Sequence, residues 1–315
     1  MAAYRTMAEY LTSVLGGRIQ KIAVNAGLGC PNRDGTLSRQ GCLYCNNAAF
    51  NPAYAFESVP TSDDKQVSAS TISRQIEAGI RFFSRKGRAD GYLAYFQSYS
   101  NTYGPTDDLI RLYEEALSHP DIVGLVIATR PDCLAEDLLD YLEERFGRKA
   151  PDPRPFLLME IGIESTNDNT LFRINRGHNF ECASHAVREL DRRGIPVGAH
   201  LILGLPGETE TDYLTHVRRI SALPITTLKL HQLQIIKGTP LAYEYLKHPD
   251  SFNLLTPEKY ADIVVRILHD IRPEIAMDRF VSESPASMVI APRWGIKPAL
   301  FQAMVEDRFA ATPTN

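Results

Sequence analysis

No stretch of this 315-residue chain approaches the roughly 20 consecutive apolar residues that a bilayer-spanning helix needs. The first residues, MAAYRTMAEYLTSVLGG, also lack the apolar core of a signal peptide. Both absences predict a soluble, cytoplasmic protein with no membrane partner. Positive charge is not in excess: 34 Lys and Arg stand against 38 Asp and Glu, a net of -4. That argues against a dominant basic face, so nucleic acid is not favoured as a partner. Cysteine is scarce and odd in number, five in all with three of them clustered, which fits poorly with a disulfide framework. There is no low-complexity tract, no repeat of fixed period and no long linker that would split the chain.

What is present is an ordinary globular composition, 44% hydrophobic and 23% charged, able to bury a core. Short apolar runs alternate with helical patterns. Strands are predicted at 22–28, 92–99, 123–130, 156–165, 196–205 and 227–236, several apolar on both faces as buried parallel strands are. Helices are predicted after Thr106, from Thr256-Pro257 onward, over 180–193 with Gly194 as its C-cap, and over 71–86 and 208–221. Residues 46–69 are the longest irregular stretch. Six β-then-α units imply parallel strands with right-handed crossovers, in an open doubly wound sheet or in a barrel. In either layout functional groups gather at the carboxyl ends of the strands.

The three clustered cysteines follow the first strand, in GLGCPNRDGTLSRQGCLYCN. Cys42 and Cys45 form C-x2-C with Tyr44 before the second, and Cys30 lies eleven intervening residues upstream. Three thiolates can hold a metal centre and leave one position open for chemistry. On spacing alone three readings stand: an iron–sulfur centre, a zinc knuckle lacking a local fourth ligand, or buried and redox-active thiols. Cys133 and Cys182 are isolated and read as structural.

Further polar groups sit at strand ends. Glu160 and Glu164 point to one face of the fourth strand with Gly162 between them. They form either a buried salt-bridge network with Arg173 and Arg176, or a site for a ligand carrying hydroxyls, an amine and a carboxylate, with Gly162 leaving room for it. Gln97, Ser98 and Asn101, then Thr129, Arg130 and Asp132, then His200, then Lys229, His231, Gln232 and Gln234 end four other strands. Gly204-Leu205-Pro206-Gly207-Glu208 is a strand–turn–helix with no Walker lysine.

Taken together, GLGCPNRDGT…GCLYCN, YLAYFQSYSNTYGP, IVGLVIATRPDC, LMEIGIES…RINRGH, HLILGLPGE, LHQLQIIKGTPLA and APRW resemble the radical S-adenosylmethionine (SAM) superfamily. The resemblance is to its YhcC-type branch, whose core is like the Elp3, MiaB and NifB radical SAM domains. It implies an α/β fold: a partial (β/α)6 TIM-like barrel of parallel strands over 22–271, a helical lead-in over 1–21, and a C-terminal extension over 272–315 covering the open side. It implies a [4Fe-4S] cluster on Cys30, Cys42 and Cys45, and SAM cleaved reductively to a 5′-deoxyadenosyl radical that takes hydrogen from a substrate. An external electron donor such as flavodoxin or ferredoxin is implied with it. Tyr44 and Gly204 to Gly207 would lie near the adenine, Glu164 near the ribose, and Arg176 at the SAM carboxylate. Glu160, His200 and Gln232 are carried as further cofactor-binding candidates.

The chain departs from the superfamily in two places. Its first cysteine spacer is eleven residues rather than three. FQSYSNTY also replaces the usual Gly-Gly-Glu, so Gln97, Ser98 or Asn101 would bind the SAM amino group. A methylthiolation role, which would call for an N-terminal cysteine domain, is not expected. A zinc-stabilised barrel acting as a hydrolase or binding protein is the alternative, and a degenerate scaffold serving as an interaction protein is a third reading.

Overall fold

The computed structural model describes residues 4–49, 69–85, 87, 89–151, 155–282 and 284–312. Most of the irregular stretch expected at 46–69 therefore lies outside the described residues.

All six expected strands are present: β1 Ile19–Val24, β2 Gly91–Phe96, β3 Ile122–Thr129, β4 Phe156–Glu164, β5 Val197–Leu203 and β6 Thr227–Gln232. Each lies parallel beside the next, and a short strand, β8 Ala276–Arg279, continues the sheet beyond β6. The result is a curled half-barrel of seven parallel strands, a partial TIM-like barrel. Its seventh strand comes from what the sequence presents as the C-terminal extension. A two-stranded antiparallel ribbon, β7 Ile235–Ile236 with β9 Val289–Ala291, straps that extension to the top of the sheet.

The helices are α1 Met7–Leu15, α2 Pro31–Asp34, α3 Ala69–Ser84, α4 Thr106–Leu117, α5 Glu136–Phe146, α6 Asp168–Arg173, α7 Phe180–Arg192, α8 Glu210–Ser221, α9 Pro240–Lys247, α10 Pro257–Asp270 and α11 Pro298–Ala311. Thr256 caps α10 through its side chain, as expected. Thr106 does not cap α4; it lies in the first turn, after Pro105. No described helix is long and apolar enough to cross a membrane.

The two faces of the sheet carry two different cores. Tyr92, Ala94 and Phe96 of β2, Leu125 and Ile127 of β3, and Leu157, Met159 and Ile161 of β4 face outward, into the large core shared with the helices. The alternate residues Leu93 and Tyr95, Val126 and Ala128, and Phe156 and Leu158 face inward, where Met7, Tyr10 and Leu11 of α1 plug the bottom of the barrel. Burial on both faces is why these strands read as near-continuous apolar runs; every residue of β2 and β4 is buried. Close packing sets the outer layer: a Cβ on Gly79 of α3 would stand 2.3 Å from Cγ2 of Ile22 on β1, so only glycine fits there.

Followed upward, the inward positions change from apolar to polar. On β2 the series is Leu93, Tyr95, Gln97; on β3 Val126, Ala128, Arg130; on β4 Leu158, Glu160, Gly162. The upper members of all three series line one cavity at the carboxyl ends of the strands. Trp294 of APRW anchors the C-terminal segment by donating from Nε1 to the Leu255 carbonyl at 3.0 Å and stacking on Phe301.

Candidate active site

The cavity encloses about 1160 Å³ when the solvent space of its open mouth is included. Its lining includes Cys30, Cys42, Tyr44 and Cys45, and also His200, His231, Gln232, Gln234, Arg279, Ser282 and Ser284; the charges that act on His200 and His231 come from Lys229, Glu160 and Arg279 rather than from the cysteines.

The eleven-residue spacer brings Cys30 and Cys42 together by folding back on itself. Cys30 starts α2, its carbonyl accepting from the Asp34 amide at 3.2 Å, and Pro31 occupies the first helical position. Leu37 then returns its amide to the Pro31 carbonyl at 2.8 Å. The Cys45 amide bonds the Cys42 carbonyl at 3.0 Å, closing a tight turn. Asn175, held left-handed at φ 52°, clamps the loop by donating to the Gly41 carbonyl at 2.8 Å, and the Leu43 amide bonds the Ile174 carbonyl at 2.9 Å.

Cys42 is buried and receives two N–H donors at 3.5 Å, from Asn32 Nδ2 and Arg176 Nη1. Burial pushes the Cys30 thiol up, and burial with the neighbouring Cys42 pushes Cys45 up to about 11. Among the described residues, no three His, Cys, Asp or Glu side chains are grouped to hold a metal ion. A cluster bonds each thiolate to a different iron and does not need that convergence on one ion.

Two arginines stand near the cysteines. Arg176 donates from Nη2 to the Gly162 carbonyl at 2.6 Å and lies 3.4 Å from Glu164 Oε1, while its Nε is buried with no partner. Burial opposes its charge, but Tyr44, Cys42 and Glu164 around it hold it firmly protonated. Arg130 makes a two-pronged pair with Asp132 at 2.8 and 2.7 Å, and its Nη1 is likewise buried without a partner. Gly162 leaves room for these groups: a Cβ there would meet Arg176 Nη2 at 2.6 Å and Glu164 Oε1 at 2.7 Å. The space expected for a bulky ligand is thus taken by the protein's own ion pair. Glu164 itself sits at φ 69°, where the β4–β5 register shifts. Arg173, the other expected partner, pairs instead with Glu244 toward the surface.

Below the cavity lies a layer of buried charge. Glu160 accepts from Lys21 at 3.1 Å, Lys229 at 2.7 Å and Tyr95 at 2.6 Å, and lies 2.9 Å from His200 Nε2. Lys21 and Lys229 also hold Asp278, at 2.8 and 3.1 Å. Burial alone would raise the Glu160 carboxyl, but Lys21, Lys229 and His200 bring it well below its ordinary value. Glu160 therefore makes the salt-bridge network, with partners other than the two arginines expected.

Of the other sequence candidates, Gln97 lines the cavity with Tyr44 and Glu164. Gln232 lines it too, but its amide is engaged at both ends with the Ser282 backbone. Ser98, Asn101 and Gly204 do not line it. Asn101 donates to the carbonyls of Phe96 and Ala128, joining β2 to β3, and Gly204 faces Leu233 and Leu255. Sequence reasoning missed Lys21, Tyr95, Asp278 and Arg279. The signal that marks them is a polar residue at an inward position of a strand. Asn32 and Asn175, which brace the cysteine loop, carry no such signal.

The fold and this cysteine-lined cavity define a class, and comparison with known proteins assigns it. The family profile described as the Radical SAM superfamily matches residues 24–220, and the Radical_SAM C-terminal domain matches 225–311. The chain belongs to the radical SAM superfamily. Within it, Protein YhcC of Escherichia coli K12 is 34% identical over 90% of this chain and 85% of its own length. The uncharacterized protein YtqA of Bacillus subtilis is 33% identical over 93% and 85%. These relatives support the YhcC-type branch. Among solved structures, the archaeal Methanocaldococcus infernus Elp3 superposes with a TM-score of 0.63 at 17% identity, over 92% of this chain. The match spans 63% of that Elp3 chain, and at this identity it speaks for the fold alone. Members of the superfamily are enzymes, and membership implies SAM and a [4Fe-4S] cluster.

Proposed function

We propose that this protein is a radical SAM enzyme in which Cys30, Cys42 and Cys45 hold the cluster. When bound, the cluster and SAM supply an electron and a 5′-deoxyadenosyl radical able to take hydrogen from a substrate. The carrying observation is the pairing of three cysteines on one cavity wall with two buried arginines that each keep an unpartnered nitrogen. A cluster with three thiolates is anionic, and SAM carries a carboxylate. Buried guanidinium groups without full pairing are the environment such anions need.

The protein's own groups then have definable tasks. Asn32 Nδ2 and Arg176 Nη1 donate to the Cys42 sulfur and fix its position. Arg176, braced by Glu164 and the Gly162 carbonyl, is set for the SAM carboxylate, and Tyr44 and Gln97 line the space beside it. The lack, among the described residues, of a three-ligand group for one ion weighs against the zinc alternative.

The test is anaerobic reconstitution with iron and sulfide, followed by SAM and dithionite. Wild type is expected to hold about four irons, as a [4Fe-4S] centre requires, and to release 5′-deoxyadenosine. Cys45→Ala is expected to lose both. Stoichiometric zinc in place of iron, or cleavage retained in Cys45→Ala, would refute the assignment.

A further inference from the structure

The cavity also holds a charge that no described residue balances. In the layer beneath it, two lysines meet two carboxylates: Lys21 and Lys229 both bridge Glu160 and Asp278. His200 lies against Glu160, and burial with nearby Lys229 lowers its proton affinity. Burial and the adjacent Arg279 keep His231 neutral. Lysine and carboxylate charges cancel, and Arg279 remains.

Arg279 sits at the end of β8, level with Lys229 in the register, and lines the cavity. Its guanidinium makes no ion pair or hydrogen bond with any described residue, and its Nε is shielded from water. A guanidinium cannot shed its charge. Leaving one unpaired in a sheltered site is unfavourable. Elsewhere the chain satisfies a buried arginine fully: Arg193, in the outer layer, is bonded to Glu136, Asp140, Glu143 and Glu189. Among the described residues, the cavity lining beside Arg279 includes the neutral groups His231, Ser282, Ser284 and Gln234, the last with a buried Oε1 that also lacks a partner. The cysteines have their own arginines, Arg130 and Arg176.

We propose that this part of the cavity is the substrate subsite, and that Arg279 pairs there with an acidic oxygen group, a carboxylate or a phosphate, carried by the substrate. Naming it a substrate subsite rests on the radical SAM reading above; the anion site itself does not. The group anchors the substrate in the cavity, and Gln234 Oε1 accepts from a donor on the same molecule. Guanidinium suits both acids because its fork matches their paired oxygens.

The test is anaerobic calorimetry on the cluster-reconstituted, SAM-loaded full chain, titrated separately with inorganic phosphate and with succinate. At least one anion is expected to bind wild type, tenfold or more weaker in Arg279→Gln and less weakened in Arg279→Lys. Binding of phosphate alone assigns a phosphate, and of succinate alone a carboxylate. The melting temperature of anion-free Arg279→Gln is expected to equal or exceed that of wild type, because an uncompensated charge has been removed. Failure of both anions to bind wild type, equal binding to Arg279→Gln, or a lower melting temperature in that variant overturns the proposal. Iron and sulfide on the same preparation separate the two readings. A cluster-free protein whose anion binding still needs Arg279 sinks the radical SAM reading alone. A cluster-loaded protein whose anion binding ignores Arg279 sinks the subsite alone.

Discussion

Gly162 concentrates the demands of this site on one hydrogen atom. Its carbonyl binds Arg176, and its missing side chain is the volume in which Arg176 Nη2 and Glu164 Oε1 approach. Neither neighbour is the loose end of a free side chain, since Arg176 is bonded to backbone and Glu164 is paired with Arg176. Gly162→Ala is therefore expected to destabilise by about 1–3 kcal/mol, the range for overpacking. It should also weaken SAM binding at least tenfold while leaving iron content intact; equilibrium dialysis and iron analysis measure the two. Unchanged SAM affinity would remove Arg176 from the site. Among the described residues, the three non-glycine residues with positive φ, Tyr99, Glu164 and Asn175, all line the cavity or brace its cysteine loop.

At the scale of elements, α1 does structural work that leaves the chemistry untouched. A capping box of Thr6 and Glu9 starts it, and Tyr10 packs edge-on against Phe156 inside the barrel bottom. Tyr10→Ala is expected to cost about 3–5 kcal/mol, as large aromatic truncations do, with cluster content unchanged. Chemical denaturation and iron analysis check this, and loss of iron together with stability would contradict the separation of plug from site. The same scale explains what was legible in the sequence. Strands β2 to β5 could be read because burial on both faces forces long apolar runs. β8 could not, because only Ala276 and Met277 are apolar; Asp278 and Arg279 face the interior for reasons supplied by distant Lys21 and by the cavity. The cysteines and Arg176 were legible from local motif, but the ion-pair layer joins β1, β4, β6 and β8, and no local pattern encodes that.

For the whole molecule, the buried ionisable groups set a pH dependence. His200 and His231 are held neutral by burial, so their folded proton affinities lie below the ordinary value of about 6.5. The unfolded chain takes up protons that the native chain refuses, so stability is full above pH ~6.5 and declines as pH falls below it. Asp278, brought down to about 2 chiefly by Lys21 and Lys229 against the effect of burial, acts in the same direction over a lower window, from about pH 4 toward 2. Urea unfolding of the metal-free chain is expected to show stability rising from pH 5 to 7. His178, which burial and Arg176 bring down to about 3, acts in the same direction, and a flat profile over that interval would mean that these buried histidines protonate in the fold.

The ion pair of Lys21 with Asp278 also fixes an order in time. These residues lie 257 positions apart. At roughly 5–20 residues per second, synthesis takes on the order of 10–50 s to cover that distance. Strands β1 to β6 emerge in the order in which they pair, so the growing chain can add each to the last. During that interval Lys21 has no Asp278 to meet, and the wall that carries Arg279 does not yet exist. The cysteine loop leaves the ribosome early. Until Ala276–Arg279 pairs with β6, the sheet stops at β6, and Lys21 and Lys229 lack one of their two carboxylates.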